Sequence, residues 1–225
     1  MFAPENNPLE MLWSGPKTTP EIAVNQFGID EAYSIDKLQQ VMKNLNVPAE
    51  NSFVETDENS FCTEDVLDAL GFVKDRIAGN ADVLLQWMRV IKDSNEIECM
   101  KRISENASSA FQSIIGHRWN GKYEYELAAK FQFECTRRGA EMLAYTPVVA
   151  SGENALILHY VQNRKLMKEG EVILVDAGAY HNGYNTDVSR TFPVSGRFTD
   201  EQKELYQAVL RVQIAVIEVC LLQSN

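Results

Sequence analysis

Hydrophobic positions fall into clear periods from residue 93 onward. Asp93-Ser94-Asn95-Glu96 has the form of a capping box, and Ile97, Met100, Ala107, Phe111 and Ile114 then recur on one helical face. A second helix is predicted over 123–138, with Arg137 and Arg138 complementing its C-terminal dipole and Gly139 supplying a left-handed cap. Three β-type segments follow, over 144–150, 155–160 and 171–176. The last runs into a hairpin whose Asn182-Gly183 pair signals a type I′ turn. Thr199-Asp200-Glu201-Gln202 is another capping box and opens a helix carrying Leu205, Val209, Val212, Val216 and Val219. The order helix, helix, strands, helix predicts an α+β layer with helices on one face of an antiparallel sheet.

The chain before residue 90 reads differently. Pro4, Pro8, Pro16 and Pro20 fall close together with Gly15 among them, which predicts an extended or turn-rich entry. A short helical pattern at Ile35, Leu38, Val41 and Met42 is followed by a polar stretch over 44–51, and 54–60 reads as an acidic solvated loop. The change near residue 90 divides the chain into 1–88 and 89–225.

Composition narrows the function classes. With 45% apolar residues among 225 there is material for a real core, so wholesale disorder is excluded. A formal charge of −11 argues against binding nucleic acid or an anionic membrane surface. The best apolar run, 214–222, is short and broken by Glu218, and the first residues show neither a signal nor a transit peptide. Cys62, Cys99, Cys135 and Cys220 have no Cys-x-x-Cys spacing and read as buried thiols of a reducing compartment. The expectation is a soluble intracellular chain, mitochondrial or cytoplasmic.

The most informative chemistry lies in Val172-Ile173-Leu174-Val175-Asp176-Ala177-Gly178 and in Tyr184-Asn185-Thr186-Asp187-Val188. An aspartate closing an apolar strand is costly unless paired or metal-bound. With Asn182-Gly183 as the loop, His181 pairs with Tyr184, Gly178 with Asp187 and Asp176 with Ser189. Period-two alternation then sends Asp176, Gly178 and Asp187 to one face, with Gly178 leaving open space opposite Asp187. Two carboxylates held together suit hard divalent cations. A turn or capping role, or pairing with Arg190, stays open at this point. His159, in an otherwise apolar segment, suits hydrogen bonding to a substrate or a core position satisfied by backbone. His181 reads as a solvated turn residue, His117 as a complement to the preceding helix dipole, and Phe131, Phe133 and Tyr145 as core.

Taken with Glu134-Cys135, Arg138-Gly139-Ala140, Leu143-Ala144-Tyr145-Thr146-Pro147-Val148-Val149-Ala150, His159-Tyr160-Val161 and the run from Thr186 to Thr199, these motifs resemble the aminopeptidase P (Xaa-Pro aminopeptidase) family, in particular its mitochondrial-type branch. Trp13-Ser14-Gly15-Pro16-Lys17-Thr18 and Phe27-Gly28-Ile29-Asp30-Glu31-Ala32-Tyr33 resemble the family's N-terminal domain. The resemblance implies part of an α/β N-terminal domain over 1–88. It also implies, over 89–225, the first half of a pita-bread (creatinase/aminopeptidase) metallopeptidase domain. It further implies two divalent metal ions, manganese, with Asp176 chelating one and Asp187 bridging both. His159 would contact substrate and stabilise the tetrahedral intermediate. The implied partners are peptides with proline in position two, and a second copy in a homodimer. A non-catalytic pita-bread binding module and an Xaa-Pro dipeptidase (prolidase) are the alternative readings.

The family pattern continues with a ligand histidine and two ligand glutamates. After Asp187 this sequence has no histidine, and Glu201, Glu204 and Glu218 fall on the helix opened by Thr199 as solvated positions. The expectation is therefore a chain truncated at both ends and inactive alone, with apolar surface and a strand edge exposed.

Overall fold

A computed structural model describes residues 1–45, 48, 53 and 81–222. The chain divides into two compact units, Met1–Ile91 and Lys92–Asn225. The acidic stretch 54–60 and Cys62 lie outside the described residues, as does most of 44–51.

In the first unit the prolines start helices instead of preventing them. Helix α1 (Pro8–Ser14) and helix α2 (Pro20–Phe27) each carry proline at the first helical position. There the N–H has no intrahelical partner to lose. Asn7 and Thr19 cap them by accepting from Leu9 N and Ile22 N, and Gly28 closes α2 at φ 66°. This corrects the expected turn-rich entry. Strands β1 (Phe2–Ala3) and β2 (Tyr33–Ser34) pair in parallel, and a single 3-10 turn leads into α3 (Leu38–Leu45). Helix α4 (Ala81–Val90) is the last described element of this unit.

The second unit holds the three helices and the hairpin that the periodicity predicted. Helix α5 (Ser94–Ile114) starts at a complete capping box, Asp93 accepting from the Asn95 and Glu96 amides while Glu96 accepts from Asp93 N. Its buried stripe is Ile103, Asn106, Ala107, Ala110, Phe111 and Ile114, whereas Ile97 and Met100 are exposed. Helix α6 (Glu124–Thr136) packs against it, with Phe111 and Phe131 edge to face at 5.0 Å. Gly139, at φ 96°, follows the helix as expected. Arg137 and Arg138 bind the Glu134 side chain, which holds that carboxyl at about 2.

Two three-stranded sheets, each antiparallel throughout, lie beyond the helices, in the orders β3-β6-β7 and β4-β5-β8. The strands are β3 (Met142–Leu143), β4 (Val148–Ser151), β5 (Val172–Ala177), β6 (Ala179–His181), β7 (Tyr184–Asn185) and β8 (Val188–Pro193). Of the single strand expected over 144–150 only 148–150 forms, as part of β4, and β3 lies just before it in the other sheet. Leu143 pairs with Ala179, Val148 pairs with Asp176, and the chain crosses between the sheets through Tyr145, Thr146 and Pro147. On β5 the side chains alternate strictly. Ile173, Val175 and Ala177 are buried in the core that the helices cover, and Val172, Leu174 and Asp176 are half-buried on the opposite face. Each large apolar side chain so buried contributes roughly 1.5–3 kcal/mol.

The strand expected over 155–160 does not form. Gly152–Leu156 is a 3-10 helix, and a turn follows that carries His159. Helix α7 (Asp200–Leu222) begins with the predicted Thr199–Gln202 box, and Glu201, Glu204 and Glu218 are exposed on it. Many apolar residues on it are exposed too, Leu205 at 70% and Val212 at 65%. Between this helix and the open sheet face lies a cavity of about 1020 Å³, lined by Val172, Thr191, Phe198, Tyr206 and Val209. Among the described cysteines Cys135 is buried, Cys99 half-buried and Cys220 exposed, so burial is not the common feature expected of them. Among the described residues no helix is long and apolar enough to cross a membrane.

Candidate metal centre

The hairpin builds the site. Asn182 (φ 48°) and Gly183 (φ 82°) both take the positive φ of a type I′ turn, and His181 pairs with Tyr184. The same register continues past a break in the ladder, so Asp176 pairs with Ser189. The break itself is held by Thr186, whose amide donates to Ala179 O while its hydroxyl accepts from Ala179 N, both at 2.9 Å.

Gly178 corrects one expectation. Its face is not open space: a β-carbon there would lie 1.8 Å from the Thr186 carbonyl oxygen and 3.1 Å from the Tyr145 ring. Glycine is required because the backbone of the β7–β8 link runs directly over it.

Tyr145 replaces the expected core aromatic. Its hydroxyl lies 2.5 Å from Asp176 Oδ1 and 2.9 Å from Asp187 Oδ1, so both carboxylates converge on one phenol oxygen. Burial pushes the Tyr145 phenol up, and the two acceptor carboxylates push it further. The phenol therefore remains a proton donor across the physiological range. Of the other two aromatics read as core, Phe131 is buried and Phe133 is 62% exposed.

Arg190 does not neutralise the pair; its guanidinium donates to Ser189 O. Among the described residues neither aspartate has an ion-pair partner. Two acidic groups on one face, bridged by a neutral donor, form a hard oxygen donor set that suits a divalent cation. Among the described residues no three His, Cys, Asp or Glu gather to hold a metal. A cavity of about 500 Å³ reaches Asp187 from the side of α5, lined also by Ser104, Ser108 and Arg190.

His159 is exposed in the turn after the 3-10 helix, which removes the core-histidine reading. His181 is not a solvated turn residue. Its side chain is 15% exposed, with Nδ1 3.2 Å from Glu141 Oε1. Tyr145 is the residue that sequence reasoning missed. Its signal is the pairing of β3 with β6, which brings Ala144 N to 2.9 Å from Gly178 O and so carries the next residue to the aspartates. Periodicity within 144–150 contains no trace of it.

Comparison with known proteins places this chain in a family. Residues 98–222 match the model of metallopeptidase family M24, and residues 1–53 match that of the aminopeptidase P N-terminal domain. Xaa-Pro aminopeptidase 3 of Homo sapiens is 37% identical over 98% of this chain and 44% of its own length. The mitochondrial intermediate cleaving peptidase 55 of Arabidopsis thaliana is 32% identical over 98% of this chain and 45% of its own. Among solved structures, Pseudomonas aeruginosa aminopeptidase PepP superposes with a TM-score of 0.83 at 31% identity, covering 95% of this chain and 50% of that one. This chain belongs to metallopeptidase family M24, in its aminopeptidase P group. The family implies divalent metal ions, and the fold is the mixed helix and sheet architecture of those peptidases. The chain spans about half the length of the curated relatives it matches.

Proposed function

We propose that the intact gene product is an Xaa-Pro aminopeptidase, releasing the first residue of peptides with proline in second position. The observation that carries this reading is the convergence of Asp176 and Asp187 on the Tyr145 hydroxyl. The names of the relatives supply the reaction class. In this reading residues 1–88 are part of the N-terminal domain and 89–225 the first half of the catalytic domain. Asp176 and Asp187 would hold two divalent ions, manganese by family resemblance. When bound, such ions polarise the scissile carbonyl and acidify water.

The remaining roles belong to the chain's own groups. Tyr145 stays protonated and orients both carboxylates through its single hydroxyl. His159, exposed on its turn, would offer an imidazole N–H to the carbonyl oxygen as negative charge develops there. The compartment proposed is the mitochondrion, by likeness to the mitochondrial peptidase of Arabidopsis thaliana. The 225 residues alone supply two carboxylates of the five-ligand family pattern, so alone they should be inactive.

The test is the metal-stripped intact gene product, re-supplied with Mn²⁺ and given an Arg-Pro-Pro peptide. Release of arginine is expected, and Asp176→Asn or Asp187→Asn should lower it by at least about 10²-fold. No release with Mn²⁺, Co²⁺ or Zn²⁺, or full activity in either variant, overturns the assignment. Manganese-dependent release by the isolated 225-residue chain would overturn the claim that it is inactive by itself.

A further inference from the structure

Glu124 is a carboxylate that the site described above does not use. It is the first residue of α6 and is completely buried. A buried carboxylate is costly unless its lone pairs are filled. Here they are filled by five donors. Oε1 accepts from Ser151 N at 2.8 Å, Ser151 Oγ at 2.8 Å and Asn154 Nδ2 at 3.1 Å. Oε2 accepts from the Tyr160 hydroxyl and from Lys165 N, both at 2.9 Å. Burial alone would raise this carboxyl's pKa, but the amides of Lys165 and Ser151 and the polar side chains outweigh it, and the group is held below its ordinary range.

All five donors come from 151–165, the segment that leaves β4, turns at His159 and returns beside Tyr123. The residue next to His159 is itself one of them. A second tie closes the base of the loop, where Asn163 accepts from Val149 N and donates to Pro147 O. The tip is the most exposed part, with Leu156 at 87% and Leu158 at 90% exposure. The loop thus has an anchored base and a presented tip.

We propose that Glu124 is the positioning residue of the histidine loop. Its charge fixes the backbone at both ends of 151–165 and the Tyr160 ring between them, and so sets where the His159 imidazole stands. The proposal rests on the reading that His159 meets substrate. Glutamine at 124 keeps the shape but turns one oxygen into an N–H₂ group that must face a backbone N–H donor, from either Ser151 or Lys165. The loop would loosen while the helix stays.

The experiment uses the intact gene product with Mn²⁺ and an Arg-Pro-Pro peptide, in Glu124→Gln, His159→Ala and the double variant. Glu124→Gln should lower kcat by roughly 10–10²-fold, with KM within about threefold, as expected for a misplaced group that acts on the reacting carbonyl. In the His159→Ala background the same change should add less than about twofold, because the two residues act as one unit. By hydrogen exchange, amides over 152–165 should lose protection in Glu124→Gln while those of α5 and α6 keep it. Should Glu124→Gln not fold, Tyr160→Phe removes one donor only, and the same cycle is run with it. Unchanged kcat in a folded variant, a fully multiplicative effect with His159→Ala, or exchange raised evenly through the unit overturns the proposal. A wild-type protein without peptidase activity would sink the catalytic role of His159, and exchange would still decide whether Glu124 holds the loop.

Discussion

Gly178 and Thr186 touch backbone to backbone, with no room between them for even a methyl group: a β-carbon on Gly178 would sit 1.8 Å from the Thr186 carbonyl oxygen. The neighbour is main chain and is itself fixed by the hydrogen bonds between Thr186 and Ala179, so it has little freedom to give. Gly178→Ala should destabilise the second unit by about 3 kcal/mol, the upper end of overpacking costs. Urea denaturation of the variant checks this. An unchanged midpoint would mean that the β7–β8 link moves aside.

Tyr145→Phe removes the one proton that Asp176 and Asp187 share. A hydrogen bond to a charged group contributes about 1.5–3 kcal/mol, and the exposure of Asp187 lowers this to about 1–2 kcal/mol. The metal-free protein should lose that much stability, and the difference should shrink on adding Mn²⁺, which would neutralise the facing carboxylates. Thermal denaturation with and without Mn²⁺ reads both effects. A loss that Mn²⁺ leaves unchanged would count against cation binding at the pair.

Glu134 gives a pH signature. Hydrogen bonds from Arg138 and Arg137 lower its carboxyl from 4.5 to about 2. Because the folded value lies below the unfolded one, the stabilisation is fully present above about pH 4.5. It disappears as pH falls toward 2. Glu134→Gln should therefore flatten the stability profile between pH 5 and 2 and leave its shape above pH 6 unchanged. Denaturation midpoints across that range decide it.

Thiol chemistry should separate the cysteines. Burial raises the Cys135 thiol to about 12, so it carries almost no thiolate at pH 8 and sits out of reach. Of the three described cysteines, iodoacetamide should modify exposed Cys220 first and Cys135 only on unfolding. Mass spectrometry of the native protein checks the order, and early labelling of Cys135 would show that the α6 core opens readily.

What could be read in the sequence was whatever local chemistry decides. Asp93 with Glu96, and Thr199 with Gln202, are helix starts written within four residues. Asn182-Gly183 fixes a turn, and counting back from it pairs Asp176 with Ser189 as the sheet does. Two of the misreadings have a different cause, since they depend on residues far apart in the chain. The apolar run 155–160 looks like a strand, but Glu124, some thirty residues earlier, takes the hydrogen bonds of its surroundings and Gly152 turns the backbone at φ 55°. Tyr145 reads as core until β3 is known to pair with β6. Pro8 and Pro20 read as breakers until Asn7 and Thr19 are seen capping the helices that they open.

The hairpin that carries the two acids has a parity. Each residue added to or removed from one arm rotates everything beyond it by half a turn, so a single insertion between Asp176 and the turn, unless absorbed as a bulge, would send the second acid through to the helix-covered side. Lengthening the tip by one residue on each arm leaves both acids where they are. Descendants of this sequence can therefore extend that ribbon in matched pairs and keep its chemistry, and an odd-numbered change is a signature of its loss.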